Sequence, residues 1–254
     1  MSGAAPPIRW RVAEELVAIG FGRSRVVMMN EAHSGLRRCI RTRKVGVRVV
    51  SAAARAGVRH LAMEALSPSF AEEVNRARVV PAARTAGYLS QPEMRELIKV
   101  ALDCGWTLIP YEADLSKRPS HLTHLSQGET NWREEEQARR LGEALALLPA
   151  EAKLFVWCGN GHLTKVPVQD WLPMAYQFER IVGIEPFAID QVRTVEFRPD
   201  QPTPWAKWAT RYTSVLESFG GTAGFLREEE PVDWPTPGRT DVDAFLLSSD
   251  NALA

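Results

Sequence analysis

Glu31, Glu64 and Glu112 each stand directly after a short apolar run, in VVMMNEAH, RHLAMEA and TLIPYEAD, and a fourth run, LFVWCGNGH, ends in His162. The middle two repeat one arrangement. AAARAG leads into VRHLAMEA and VALDCG into WTLIPYEA, with each glutamate seven residues past a glycine, Gly57 to Glu64 and Gly105 to Glu112. Each unit reads as a helix, a C-capping glycine, a buried strand and an acidic residue where the strand ends. Repetition of such units predicts an α/β fold with a mainly parallel central sheet flanked by helices. Parallel strands bring their ends to one edge of the sheet, where open α/β folds place their ligand sites. Three carboxylates and a histidine gathered there predict an active site.

The rest of the chain is consistent with that alternation. RWRVAEELVAIGFG reads as a helix closed by glycine, and RVVMMN as the first core strand. SGLRRCIRTRKVGVRVVSAAARAG reads as largely helical, with a break near Gly46, and Ser69 with Glu72 offers a capping box for a short helix. QPEMRELIKVALDCG is the clearest helix, with Pro92 in its first turn and a stripe of Met94, Leu97, Ile98, Ala101 and Leu102. Leu115 to Thr130 reads as a polar loop over the strand ends, and NWREEEQARRLGEALALLP as a long amphipathic helix before the strand KLFVWCG. FERIVGIEPFAID suggests another strand and turn, and DAFLLSS a final strand. Residues 1–9 read as disordered, the proline- and tryptophan-rich segment 198–239 as an irregular cap, and residues 1–254 together as a single domain.

Composition excludes some partners. Lys+Arg and Asp+Glu each number 31, so no net field draws nucleic acid or an anionic membrane. No run is long enough to span a bilayer, and MSGAAPPIRW lacks the apolar core of a signal peptide. Cys39, Cys104 and Cys158 are odd in number without zinc-type spacing, so a reduced, cytoplasmic setting is expected. Oligomeric state is not legible.

Several residues carry chemistry. Glu31 and His33 lie two apart past a strand, so carboxylate and imidazole can converge on one ligand, as metal ligands or as an oriented base; a helix-capping turn is the plainer alternative. Glu64 and Glu112 fall where the sheet should be buried, and a buried carboxylate needs a partner, a proton or a metal. Glu112, Tyr111 before it and Asn160 in the GNGH turn are candidates for substrate contact. The glycines of that turn would permit positive φ and a close backbone approach, with His162 projecting from the rim. Arg133 could clamp a substrate carboxylate or an oxyanion, or form an ordinary helical ion pair. His121 and His124 read as solvent-exposed, His60 as a satisfied core residue and the basic run Arg37–Lys44 as a solvated helix face. Nothing supports Cys158 as a nucleophile.

In this order the motifs resemble the erythromycin esterase/ChaN-like superfamily, which also includes the TraB/TIKI proteins. The resemblance runs from about Arg25 to Phe245 and rests on VMMNEAH, LAMEA, NWREEEQARRL, GNGH and GIEPFAIDQ. Asn30 stands where that family usually has glycine, and the Glu-x-His spacing of Glu31 and His33 is nearer the ChaN branch than the esterase pattern. The resemblance implies an α/β fold with its pocket at the strand ends, and an active-site set of Glu31, His33, Glu64, Arg133 and His162. Its members include macrolide-opening hydrolases, metal-dependent peptidases and a haem-binding lipoprotein. The expected activity is hydrolysis of an ester, lactone or amide in a small molecule or peptide. A lyase or cyclase using the same acid–base set, and a haem or small-molecule binder without turnover, are the alternatives. The cofactor is left open: the set could hold one divalent ion, zinc or manganese, on Glu31, His33, Glu64 and His162, or work without a metal, with haem ranked below both.

Overall fold

The computed structural model describes residues 8–32, 36–64, 66–81, 87–192, 204–231, 233–235 and 241–248. Seven strands form one sheet: β1 Val26–Glu31, β2 His60–Met63, β3 Thr107–Pro110, β4 Leu154–Gly159, β5 Phe187–Asp190, β6 Thr222–Leu226 and β7 Ala244–Ser248. Their order is β3-β2-β4-β1-β5-β7-β6, parallel throughout except for β6, which runs antiparallel to β7. The repeated units are found in their order, but the second strand, β3, lies at the sheet edge and is only partly buried, and Glu112 beyond it is half-exposed. Gly57 and Gly105, with φ of 87° and 79°, turn the chain out of a helix and into β2 and β3.

The strands are apolar on both faces because both are covered, as parallel sheets require. Val27, Met29, Phe155 and Trp157 point to one face. There they pack on α1 Ala13–Arg23, α2 Leu36–Arg55, α3 Pro68–Ala77 and α4 Pro92–Asp103. Val26, Met28, Val156 and Cys158 point to the other face. They meet α5 Gln127–Ala146, α6 Met174–Val182, α7 Pro204–Ala209 and α8 Thr213–Ser218. The stripe foreseen on α4 is buried in full, and each of Met94, Leu97, Ile98 and Leu102 contributes about 1.5–3 kcal/mol.

Both sheet edges are closed by hydrogen bonds from outside the ladder. On β3, the Asn75 side chain mimics a neighbouring strand, its Nδ2 donating to Leu108 O and its Oδ1 accepting from Leu108 N, both at 2.8 Å. On β6, Arg11 exchanges two backbone bonds with Gly224 at 2.8 Å.

Several local expectations are corrected. Helix α1 runs through Gly22 to Arg23, and α2 runs unbroken through Gly46. That glycine is there for space, since a Cβ would stand 2.6 Å from Cη2 of Trp157. The cap of α3 is Ser67, whose hydroxyl accepts from Phe70 N, rather than Ser69. FERIV closes helix α6, with Phe178 buried and Gly183 in the left-handed region at its end, so the strand is FAID alone. The segment read as an irregular cap contains α7, α8 and the sheet strand β6. The run TAGFL is short, but all five of its residues are buried, and burial decided its pairing. Residues 1–7 lie outside the described residues.

Candidate functional site

Glu64 follows β2 directly, Glu112 lies just past β3, and Gly159 and His162 lie at and beyond the end of β4, so all four share the carboxyl edge of the sheet. Helix α5 supplies their counter-charges. Arg133 Nη2 donates to Glu64 Oε1 at 2.6 Å and to Glu112 Oε2 at 2.5 Å, and Arg133 Nε donates to Glu112 Oε1 at 2.9 Å. Gln137 Nε2 adds a bond to Glu112 Oε1 at 3.1 Å, and Arg140 Nη1 donates to the Glu112 backbone oxygen. Residues 133, 137 and 140 fall on one face of a helix, which is why all three reach Glu112. Glu64 Oε2 accepts the Gly159 N–H at 3.0 Å, tying the end of β2 to that of β4. Burial works against the Arg133 charge, but the bonds to Glu112 and the attraction of both glutamates outweigh it and raise its pKa.

His162 stands between two carboxylates. Its Nδ1 is 2.8 Å from Glu134 Oε2 and its Nε2 is 3.6 Å from Glu64 Oε1. Glu134 is fixed by two further donors, Trp171 Nε1 at 3.0 Å and Met174 N at 2.7 Å. With Nδ1 committed to Glu134, Nε2 is the ring nitrogen that faces Glu64. Desolvation favours the neutral ring, but the hydrogen bond and charge of Glu134, then the charge of Glu64, prevail and raise the pKa. Gly161 leaves room for Trp171, as a Cβ there would lie 2.6 Å from Cη2 of that indole. The positive φ of the turn is at Asn160, 30°, and not at the glycines.

The structure thus brings together Glu64, Glu112, Arg133 and His162. Glu31 is placed otherwise: at 2% exposure it takes Arg43 Nε at 2.7 Å, and Arg43 also donates to Gln91. Asn30 holds the neighbouring strand ends, giving Nδ2 to Asn160 O at 2.6 Å and to Asp190 Oδ1 at 3.1 Å. The Asn160 side chain lies on an exposed residue, whereas Tyr111 is fully buried with its hydroxyl on Trp157 O at 3.2 Å. His33 lies outside the described residues. His60 corrects the sequence reading, because its buried Nδ1 has no partner among the described residues and burial lowers its pKa. Arg41 and Arg43, in the run read as a solvated face, are buried. His121 and His124 are exposed, as expected. Burial, then the charges of Glu64, Glu134, Glu31 and Asp190, drive the Cys158 thiol pKa well up, which suits an inert thiol.

Those of the proposed ligands that are described, Glu31, Glu64 and His162, are each committed elsewhere. Among the described residues no three His, Cys, Asp or Glu groups are arranged to hold a metal. The guanidinium of Arg133 occupies the cation position beside Glu64, Arg43 does so beside Glu31, and His162 Nδ1 is committed to Glu134.

Glu134 and Trp171 were not foreseen. Glu134 lies in register with the buried Ala138, Leu141 and Leu145, at i+4, i+7 and i+11. That periodicity was the available signal, and it places Glu134 inward while Glu135 stays exposed. Trp171 carried no local signal, since its role depends on a turn seated on Gly161.

By sequence, no family profile and no curated protein matches this chain. By shape it is similar to ChaN of Campylobacter jejuni, whose structure shows cofacial haem binding, with a TM-score of 0.52 at 7% identity over 93% of this chain and 91% of that one. A Bacillus cereus protein gives 0.50 at 11% identity over 91% and 90% of the two chains. RRSP, a MARTX toxin effector domain from Vibrio vulnificus, gives 0.53 at 16% identity over 71% of this chain and 35% of that one. This chain therefore spans about a third of the toxin domain's length. At such identities the likeness is one of fold, and the α/β architecture expected from ChaN-like proteins is the one observed.

Proposed function

We propose that this chain is a hydrolase of the erythromycin esterase-like kind, acting in the cytoplasm on an ester, lactone or amide of a small molecule or peptide. The observation that carries the reading is the His162 imidazole, fixed at Nδ1 by Glu134 and facing Glu64 through Nε2 at 3.6 Å. In this reading a water near Glu64 gives a proton to Nε2 as its oxygen attacks the carbonyl carbon. Arg133, whose Nη1 donates to no group among the described residues, steadies the oxyanion. As the carbon–oxygen or carbon–nitrogen bond breaks, His162 returns the proton to the leaving group. Glu134 orients the ring and balances its charge, and Glu64 positions the water.

The test is turnover of a panel of aryl esters, lactones and aryl amides by the purified protein and by His162→Gln and Glu64→Gln. His162→Gln should lose about 10²–10⁴ in kcat, the usual worth of a positioned acid–base group. Undiminished turnover in that variant would sink the mechanism. Product mass distinguishes reactions on the same residues, because hydrolysis gains one water and an elimination loses one.

A further inference from the structure

A groove of about 470 Å³ adjoins the site, with Glu64 and Glu112 in its wall, and its volume suits a small ligand. Leu66, Pro68, Ala113 and Leu115 give it apolar lining. Its acids are matched. Glu112 is held by Arg133 at 2.5 and 2.9 Å, Glu64 by Arg133 at 2.6 Å, and Asp114 accepts from Ser116 N and Oγ at 3.1 and 2.6 Å. The cation in the lining, Arg140, forms no hydrogen bond to a carboxylate among the described residues, although its charge, after the Ser116 bonds and Lys117, helps to lower the Asp114 pKa. It gives Nη1 to a backbone oxygen and, among the described residues, leaves Nε and Nη2 without acceptors. A half-buried guanidinium with two idle donors beside apolar walls is complementary to a carboxylate carried on an apolar body.

We propose that this groove binds the substrate through Arg140, and that the substrate class is an apolar acyl compound bearing a free carboxylate. The substrate assignment rests on the hydrolase reading, but the anion site is testable without turnover, so either idea can fail alone.

The probes are phenylacetate and its neutral isostere phenylacetamide, titrated calorimetrically and by ligand-observed NMR into the full chain. Phenylacetate should bind at least about tenfold more tightly, as expected for charge-assisted bonds to one guanidinium. Arg140→Gln, which keeps an N–H for the Glu112 backbone oxygen, should erase the preference. Leu115→Glu, at a lining residue 60% exposed, should weaken phenylacetate by repulsion and spare the amide. Equal binding of both probes, binding of neither, or a preference intact in either variant would overturn the proposal. If Arg140→Gln fails to fold, Leu115→Glu decides alone.

Discussion

Asn75→Ala should destabilise this protein more than any substitution at a half-exposed helix position ordinarily does. The Asn75 amide makes both edge bonds of Leu108, at 2.8 Å each, and Leu108 is 2% exposed. Alanine leaves one N–H and one C=O unpaired under helix α3. Each buried orphan costs about 1–3 kcal/mol, and water reaching the edge moderates the sum, so the expected loss is about 2–4 kcal/mol. That is a large part of a typical total stability of about 5–15 kcal/mol. Asn75→Asp provides the control: it keeps an acceptor for Leu108 N but sets a carboxylate against Leu108 O, and should be no better than alanine. Urea unfolding followed by tryptophan fluorescence measures both. Because β3 leads into Glu112 and an unguarded edge invites pairing between chains, aggregation should rise in parallel. A loss below about 0.5 kcal/mol in Asn75→Ala, the range of ordinary surface changes, would refute the reasoning.

Other perturbations probe the two ion-pair systems. Arg43→Met should cost about 3–5 kcal/mol, because it strands the buried Glu31 carboxylate; thermal unfolding checks it. The raised His162 pKa gives a pH signature: its contribution to stability is complete below the ordinary histidine value of about 6.5 and is lost as pH rises through the elevated folded value. The stability gap between the parent and His162→Gln should therefore narrow across that window. Rate profiles should place the acid limb of kcat/KM above about 6.5, and Glu134→Gln should move it down by removing the hydrogen bond and charge that raise the pKa. Gly161→Ala should displace Trp171 from Glu134, lowering kcat roughly tenfold and stability by about 1–3 kcal/mol. An unchanged indole N–H resonance in that variant would contradict this coupling.

The alternation of helices and strands was legible because each element carries its own punctuation: Gly57 and Gly105 at helix ends, apolar runs for covered strands, glutamates where the runs stop. Where local signals competed, tertiary packing decided. FERIV looks strand-like from its Ile–Val pair, yet Met174, Ala175 and Phe178 form a helical stripe against the sheet and Gly183 ends it. At the site, the glutamates and His162 announced themselves by following apolar runs. Their true neighbours did not, because Arg43, Glu134 and Arg133 reach them across 12, 28 and 69 residues of sequence. Glu31 is met by an arginine from the following helix, and its expected partner His33 lies outside the described residues.

The distribution of charge separates what the fold needs from what the edge is for. Both faces of the sheet are packed with apolar side chains, and neither core draws on Glu64, Glu112 or Glu134. Burying Glu64 and Glu134 costs several kcal/mol each before pairing, and ion pairs in such positions return little more than apolar residues of the same volume would. A sheet edge selected for stability alone has no use for them. Helix α5 nevertheless devotes Arg133, Glu134, Gln137 and Arg140 to this edge, in an order that pairs every acid, fixes one imidazole nitrogen and leaves the other facing Glu64. A network that was only structural would gain by closing completely. This one leaves His162 Nε2 and guanidinium donors of Arg133 and Arg140 without partners at hydrogen-bonding distance among the described residues, beside a groove, and that opening is what supports the proposed reading.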